Sequence, residues 1–456
     1  MRKTLLTVAL AGMVAFAPVH AQSIQVPKLQ YQERVLANGM RVISVPDNTN
    51  PTVSVQVWYD VGSKNDPQGR SGFAHLFEHI MFKSTKHMKS EQFDRMTEDV
   101  GGMNNASTSD DFTNYFESVP ANHLQRLLWA EAERLSNLNV DEANFKSERA
   151  VVQEEYRQSV LSNPYGRLFN AISTYSYVAH PYKRSTIGSI EDLDAASVQD
   201  VIDFHKTYYR PDNAVLIVSG NFEQKQLDGW VDQYFGWIPK PATAIPRVTV
   251  KEPARTEDKR YTVKSPTAPT PGVVIDWLVP PANHADMAAL DVASALLSQG
   301  ESSRFYQRLV YKEQIALQAS AALDARTDTG LFYLLAILNE GHTPAEAEAM
   351  MLDEVRKLAT GTISDAELEK VKTQVLTSRL TRMQSAQGKG MMLGSAVIIE
   401  GDAARANTGL TEFQRVTAAD VQRVLKTYML DGKKVTIDYL PEVAAANAAA
   451  QPGAAK

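Results

Sequence analysis

The sequence contains no cysteine among its 456 residues. This absence excludes disulfide bonds and thiolate metal sites, so a metal ion could be held only by histidine and carboxylate side chains. The chain also lacks an excess of positive charge, because 47 Lys and Arg residues face 53 Asp and Glu residues and the net charge is −6. We see no basic stripe, and the composition therefore argues against a nucleic-acid partner.

Long apolar runs are missing except at the N-terminus. Met1 to Ala21 begins with Arg2 and Lys3 and continues with an apolar run from Leu5 to Pro18. This run is too short to span a membrane comfortably, and its arrangement is typical of a secretory signal peptide. We therefore expect residues 1–21 to be removed. The mature protein should then be periplasmic, without stable membrane insertion.

The most informative stretch runs from Ser71 to Thr85 and contains His75, Glu78 and His79 among mostly apolar neighbours. Histidines four residues apart lie on one face of a helix. A helix that is apolar nearly all round is buried, and ionisable groups on it are costly unless a partner satisfies them. A divalent metal ion would be such a partner, with the carboxylate acting on a water molecule. The alternative is a pair of core histidines with local hydrogen bonds.

A third metal ligand should lie elsewhere, because a catalytic zinc ion normally has three protein ligands. The segment from Asp141 to Arg157 is predicted to be a helix, and it carries Glu148 and Glu155 seven residues apart on one face. Glu155 is the candidate ligand, and Glu148 is a candidate to orient a ligand imidazole. Taken alone, an acidic helix is more often a solvated surface.

Together these motifs resemble the M16 (pitrilysin/insulinase-type) metallopeptidases, in the subfamily that includes the mitochondrial processing peptidase. The spacing of 76 residues between His79 and Glu155 is similar to that of the family. The resemblance covers most of the chain after residue 30. The matching segments are Ala74 to His79, Phe82 to Thr85, Gly101 to Thr108 (the family's Gly-Gly-x-x-Asn-Ala-x-Thr) and Glu148 to Glu155.

The resemblance implies a zinc endopeptidase with one zinc ion per chain. The zinc ligands would be His75, His79 and Glu155, and Glu78 would be the general base. Substrates would be peptides or unfolded segments enclosed in a chamber. Two alternatives are a non-catalytic assembly subunit of the same fold and a different metal hydrolase, such as an amidase.

The resemblance also implies a site for the substrate backbone. Asn105 and Ala106 would lie on a strand to which the substrate adds as a further strand. The alternative is that Asn104 and Asn105 simply mark a strand entry or a turn.

Strand-like and helix-like segments are mixed in the mature chain, which predicts an α+β protein. A pattern that begins at Asp200-Val201 recurs 220 residues later at Asp420-Val421, which indicates two related halves. We expect two α/β sandwich halves, each a mixed or antiparallel sheet with helices on one face, and the family resemblance implies a clamshell. The helix from Met287 to Leu297 should take the place of the metal helix, but it lacks the His-x-x-Glu-His pattern.

The predicted division of the chain follows from these patterns. Residues 1–21 are the signal peptide, 22–240 the zinc-bearing peptidase domain and 241–262 a linker. Residues 263–441 are the homologous non-catalytic domain, and 442–456 are a disordered tail.

One departure from the family pattern concerns partners. Active relatives need an Arg and a Tyr, seven residues apart, from a second-half domain. Alignment on the Lys-Glu-Gln motif places Val310 and Leu317 at those positions, while Arg304 and Tyr311 have the right spacing but lie six residues too early. We therefore expect a heterodimer with a homologous zinc-less subunit, with a homodimer as the alternative.

Overall fold

The computed structural model describes residues 25–442. The predicted signal peptide at 1–21 and the predicted tail from residue 443 onward lie outside the described residues. No helix within residues 25–442 has both the length and the apolar character that crossing a bilayer requires.

The first half forms one sheet and its helices. Its strands are β1 (Gln32–Val35), β2 (Arg41–Pro46), β3 (Thr52–Tyr59), β4 (Met103–Thr108), β5 (Thr113–Pro120) and β6 (Ala214–Gly220). Its α-helices are α1 (Phe73–Ile80), α2 (Gln92–Glu98), α3 (Leu124–Asn137), α4 (Glu142–Tyr156), α5 (Gly166–Ser176), α6 (Ile190–Ala195), α7 (Val198–Tyr208) and α8 (Gln224–Phe235).

The second half forms another sheet. Its strands are β7 (Lys259–Ser265), β8 (Gly272–Val279), β9 (Ala316–Asp324), β10 (Gly330–Leu338) and β11 (Lys434–Pro441). Its α-helices are α9 (Met287–Ser298), α10 (Pro344–Thr360), α11 (Asp365–Arg382), α12 (Ala386–Ile398), α13 (Arg405–Arg415) and α14 (Ala418–Leu425). Wider helical turns of the π type follow α4 at Arg157–Ser162, precede β9 at Tyr306–Lys312 and follow α14 at Lys426–Leu430.

The two sheets share one topology. The first has the strand order β1-β2-β6-β3-β5-β4, and the second has β7-β11-β8-β10-β9. In each sheet one neighbouring pair is parallel, β2 with β6 and β7 with β11, and the other pairs are antiparallel. The orders are the same once β1 is set aside. The predicted α+β class with two related halves and mixed sheets is therefore confirmed.

The repeated sequence pattern marks the start of corresponding helices. Ser197 precedes α7 and Thr417 precedes α14, and each side-chain oxygen accepts a backbone N–H bond from the residue three positions later. The carboxylates of those residues, Asp200 and Asp420, in turn accept a hydrogen bond from the backbone N–H of the cap residue. Such capping boxes satisfy N–H groups that the first helical turn leaves free. Helices α7 and α14 then lead into the corresponding strands β6 and β11.

Each half lends one helix to the other. Helix α5 packs on β7, β8 and β11 of the second sheet, and α12 packs on β3 and β6 of the first. Two glycines allow this approach, because a Cβ at Gly390 would lie 2.4 Å from Gln56 Nε2 and one at Gly394 would lie 2.1 Å from Trp58 Cε2. A sheet thus has its own helices on one face and the borrowed helix on the other.

The borrowed helix gives the two halves a shared apolar core. Ile43, Trp58 and Ile217 of the first sheet belong to the same buried cluster as Ile275 and Leu393 of the second half. The two halves are therefore joined by a continuous apolar core where α12 meets the first sheet.

The predicted linker is an ordered strap. Residues 239–258 contain neither helix nor strand, but they are tied to the first half. Arg247 pairs with Asp60 at 2.6 Å, and Glu252 accepts the backbone N–H groups of Val178, Ala179 and His180. Strand β7 begins at Lys259, so the last four residues of the 241–262 range lie in the second sheet. The division into domains stays a prediction.

Candidate metal centre

The N-terminal end of α1 is fixed by a buried carboxylate. Asp66 accepts the backbone N–H groups of Gly72 and Ala74, both at 2.8 Å. Gly72 has φ 86°, and a Cβ there would lie 2.6 Å from the carbonyl oxygen of Ile187. This position therefore requires glycine. Anchored in this way, α1 has one defined orientation for the residues that follow.

Helix α1 has one apolar face and one polar face. Phe73, Leu76, Phe77 and Ile80 are buried in the core of the first half. The polar face carries His75, Glu78 and His79, which are half-buried. The sequence predicts a helix that is buried nearly all round, whereas the structure leaves this polar face partly accessible.

The polar face of α1 meets helix α4. His75 Nε2 lies 3.1 Å from Glu155 Oε2 and 3.2 Å from His79 Nε2. His79 Nε2 lies 3.4 Å from the same Glu155 oxygen. Glu155 lies 80 residues after His75 and 76 residues after His79 in the sequence. The fold nevertheless brings the three candidate ligands together, with their ligand atoms within 4.8 Å of one another.

A second carboxylate of α4 approaches the cluster from the other side of the His79 ring. Glu148 Oε2 lies 3.7 Å from His79 Nδ1, and Glu148 Oε1 lies 2.7 Å from Lys83 Nζ. Asp141 begins the helix by accepting the N–H of Asn144, so Glu148 and Glu155 follow at two-turn spacing on one face. Sequence reasoning assigned no role to Lys83, although its position four residues after His79 is a usable signal.

The protonation of this cluster is governed by the carboxylates. Burial lowers the pKa of His79, but the hydrogen bonds to Glu148 and Glu155 outweigh it and raise that pKa to about 9. The hydrogen bond from His75, with that from His79, holds the pKa of Glu155 well below its usual range. Burial raises the pKa of Glu148, but its bonds to His79 and Lys83 lower it overall. The site therefore favours positive charge.

The donor set fits zinc. Two imidazole nitrogens and one carboxylate oxygen are a common protein ligand set for a catalytic zinc ion, which keeps a further position open. The surrounding carboxylates already stabilise a cation, since they raise the pKa of His79. The partial exposure of Glu155, 44% of its side chain, leaves the cluster accessible from outside.

Glu78 points from α1 towards the edge of the first sheet. Its Oε2 accepts a hydrogen bond of 2.5 Å from the hydroxyl of Thr108, the last residue of β4. Strand β4 lies at one edge of the first sheet, and among residues 25–442 it pairs only with β5. Thr108 is a second residue without a role in the sequence reasoning. Thr108 lies two residues after Ala106, and residues two apart on a strand point to the same face of the sheet, so the sequence could have placed both on one face.

Asn105 and Ala106 lie in the middle of β4. Asn105 is exposed, and its Oδ1 accepts the backbone N–H of Ala106 at 2.8 Å. Ala106 is half-buried against the core of the first half, while Asn104 donates to Asp94 of α2 at 2.8 Å. The three residues are thus parts of an edge strand, whose outward backbone groups can pair with a further strand, although the N–H of Ala106 is bonded to the Asn105 side chain.

The positions that differ from the family pattern lie in the second half. Leu317 is the second residue of β9 and has 61% of its surface exposed, and Tyr311 has 69% exposed. Arg304 donates two hydrogen bonds to Glu367, at 2.8 and 3.0 Å. That guanidinium is therefore engaged within the second half.

Comparisons with known proteins cover most of the chain. Residues 41–189 match the family model described as "Insulinase (Peptidase family M16)", and residues 195–375 match the model described as "Peptidase M16 inactive domain". The chain is 33% identical over 434 residues to "Zinc protease PqqE" of Helicobacter pylori, covering 93% of this chain and 95% of that protein. It is 24% identical over 405 residues to the probable mitochondrial-processing peptidase subunit beta of Arabidopsis thaliana, covering 87% and 76%.

Solved structures give the same picture. The crystal structure of a protease from Helicobacter pylori superimposes with a TM-score of 0.88 at 31% identity, covering 91% of this chain and all of that one. The periplasmic protease PqqL from Escherichia coli has a TM-score of 0.74 at 18% identity, with coverage of 91% and 48%. The latter similarity shows the shared fold.

Proposed function

The chain belongs to the M16 peptidase family, and from this membership we propose that it is a zinc-dependent endopeptidase. The observation that carries the proposal is the cluster of His75, His79 and Glu155, whose ligand atoms lie within 4.8 Å. Glu78 lies on the same helix, hydrogen-bonded to the end of an edge strand. A ligand set, a carboxylate base and a free strand edge are suited to the hydrolysis of an extended peptide.

His75, His79 and Glu155 would hold one zinc ion per chain. When bound, zinc supplies Lewis acidity that polarises the scissile carbonyl and lowers the pKa of a water molecule. Glu78 acts as the general base that takes the proton from the attacking water and later delivers it to the leaving amine. Glu148 holds the ring of His79 in orientation, because its carboxylate faces Nδ1 while Nε2 faces the ligand cluster.

The substrate backbone would add to β4. An extended peptide can pair with the outer edge of β4 through backbone groups, beside Asn105 and Ala106. Thr108 is the last residue of this strand and donates a hydrogen bond to Glu78, so the base would lie next to a peptide bound along β4. A folded domain cannot offer an isolated extended segment, which restricts substrates to peptides and unfolded segments.

A second subunit would complete the enclosure. The two halves share an apolar core, and the cluster of His75, His79 and Glu155 is partly exposed. Val310 and Leu317 cannot donate hydrogen bonds from their side chains, and Arg304 is paired with Glu367. We propose a heterodimer with a homologous zinc-less subunit that supplies the missing donors, with a homodimer as the alternative. Activity should rise when that subunit is added.

The proposed location is the periplasm. The apolar N-terminal segment at residues 1–21 has the order of charges and apolar residues of a secretory signal. Processing can be checked by the N-terminal sequence of the protein recovered from cells, which should begin at Gln22.

A non-catalytic assembly subunit is the second candidate function. The family model that matches residues 195–375 is described as an inactive domain, and the second half lacks the family's Arg and Tyr. Zinc without any hydrolysis, alone or with a partner, would favour this alternative.

The decisive test separates zinc binding from proton transfer. We expect Glu78→Gln to retain zinc, because Glu78 is outside the ligand set, while peptide hydrolysis falls by roughly 100- to 10,000-fold. Glu98→Gln on α2 is a matched control that should change neither. Near-normal hydrolysis by Glu78→Gln, with zinc retained, would refute the proposed base.

A further inference from the structure

The half without metal ligands contains a large cavity. It has a volume of about 650 Å³ and lies among α9, α11, α12 and α13. Cavities of this size commonly hold small ligands or parts of larger ones. Its apolar wall includes Met287, Met391, Met392, Leu410 and Phe413.

The wall chemistry favours an apolar and variable occupant. Met383 adds a fourth methionine to the lining, and methionine side chains adapt their shape to different ligands. The charged groups are largely neutralised within the protein, since Arg379 pairs with Asp291, and Arg405 pairs with Glu400. Little net charge therefore remains to attract an ionic ligand.

Two chains of contacts link the cavity wall to the edge strand β4. Ser107 of β4 donates to Asn114 of β5 at 2.5 Å, and Asn114 Nδ2 lies 3.5 Å from the sulfur of Met391 on the cavity wall. Ala325 also lines the cavity, and the next residue, Arg326, pairs at 3.1 Å with Asp110, which follows β4. The cavity thus lies on the α12 side of the first sheet, opposite the face that meets α1.

We propose that this cavity receives apolar side chains of an extended polypeptide bound to β4. Side chains of an added strand alternate between the two faces of the sheet. Those on one face point towards α1 and Glu78, and those on the other point towards Met391 and the cavity. The substrate class is therefore an extended chain with large apolar residues at alternate positions. This inference rests on the proposed function, which places the peptide on β4.

Gly409 offers a way to fill the cavity. It lines the cavity within α13, and a Cβ there would meet no atom within 4 Å. Gly409→Phe and the smaller Gly409→Leu should place apolar atoms in the open space and leave the helix intact, since both residues have higher helix propensity than glycine. Gly229 in α8 is also helical with no atom within 4 Å of its Cβ position, so Gly229→Phe is the matched control.

Binding is measured on zinc-loaded protein that carries Glu78→Gln, to prevent cleavage. The probes are two fluorescent extended decapeptides, one with leucine at alternate positions and one with serine there. We expect tighter binding of the leucine peptide, and a loss of roughly 10- to 100-fold with either Gly409 variant, which is the effect of excluding one buried leucine side chain. Binding of the serine peptide, and both affinities of Gly229→Phe, should be unchanged.

Equal affinity for the two peptides, or leucine-peptide binding unchanged by both folded Gly409 variants, would overturn the proposal. Hydrolysis by the protein with Glu78 intact separates this failure from failure of the proposed function. If the protein hydrolyses peptides but Gly409 substitution does not change leucine-peptide binding, the proposed role of the cavity is rejected and the peptidase function is retained. No hydrolysis, with leucine-peptide binding weakened by Gly409→Phe, rejects the peptidase and retains the cavity.

Discussion

Helices α1 and α4 of the first half have counterparts in α9 and α11 of the second. Each pair packs together, and α1 and α9 follow the corresponding strands β3 and β8. Counted from the caps that precede α4 and α11, Glu148 corresponds to Val371 and Glu155 to Ser378. Helix α9 contains no histidine or glutamate and consists mainly of alanine, leucine and valine.

The second pair is joined by an ion pair instead of a cluster of histidines and glutamates. Asp291 of α9 forms an ion pair with Arg379 of α11, and the Arg379 guanidinium lies 4.8 Å from the ring centre of Phe413. Val371 is buried where the first half buries Glu148. The same fold therefore forms without histidines or paired glutamates at these positions. The fold itself does not require these residue types, and the chemistry of the cluster in the first half points to a function.

The strongest contrast is expected from the corresponding residues Glu155 and Ser378. Glu155→Ala should reduce zinc content from about one ion per chain to nearly none and abolish hydrolysis, because two protein ligands hold catalytic zinc poorly. Ser378→Ala should leave both unchanged. Metal analysis and a peptide assay on each purified variant measure the effect, and full zinc in Glu155→Ala would remove that residue from the ligand set.

A second comparison concerns the stability contributed by one ion-paired arginine in each half. Arg134 is fully buried beside Glu117 and Glu131, with its guanidinium 4.0 Å from the ring centre of Phe93. Removing one member of a buried ion pair costs about 3–5 kcal/mol, and we expect Arg134→Met to lower the free energy of unfolding by that amount. Arg308, which pairs with Glu354 in the second half, is more exposed.

Arg308→Met is therefore expected to cost about 1 kcal/mol or less. Denaturant titration of the two variants against the unchanged protein measures both values. Equal losses would mean that burial does not distinguish the two ion pairs.

The smallest expected effect comes from comparing two glutamates of α4, Glu148 and Glu142. Glu148→Gln should weaken zinc affinity by roughly 10- to 100-fold without abolishing binding, because it would orient the His79 ring rather than bind the ion. In the metal-free protein the pKa of His79 should fall from about 9, since the Glu148 hydrogen bond raises it. Glu142→Gln, at the exposed start of the same helix, is the control.

Metal titration and NMR of the His79 ring measure these two effects. If Glu148→Gln loses all zinc while Glu155→Ala retains it, the two roles are exchanged.

Much of the candidate site could be predicted from local sequence patterns. The spacing of His75 and His79 and that of Glu148 and Glu155 fix shared helix faces, and the structure brings these faces together. The recurrence of Asp200-Val201 at Asp420-Val421 likewise falls in the first turns of the corresponding helices α7 and α14. Helical periodicity and short repeated patterns depend on residues a few positions apart, which is why sequence reasoning reaches them.

The exchange of α5 and α12 between the halves could not be predicted in this way. The glycines of α12 indicate a close approach, but not that Gln56 and Trp58 of the other half are the partners. The bond between Thr108 and Glu78 joins two segments 30 residues apart. The same applies to the pair of Arg304 with Glu367, 63 residues apart. These contacts depend on the packing of whole elements, which local patterns do not specify.

The most direct test of the metal centre is a crystal of the mature, zinc-loaded chain measured at the zinc absorption edge. We expect an anomalous peak that marks a zinc ion at about 2.0–2.2 Å from His75 Nε2, His79 Nε2 and an oxygen of Glu155. We expect no such peak between α9 and α11. An active, zinc-containing protein with no peak at the first site, or with its peak elsewhere, would contradict the assignment of the metal centre.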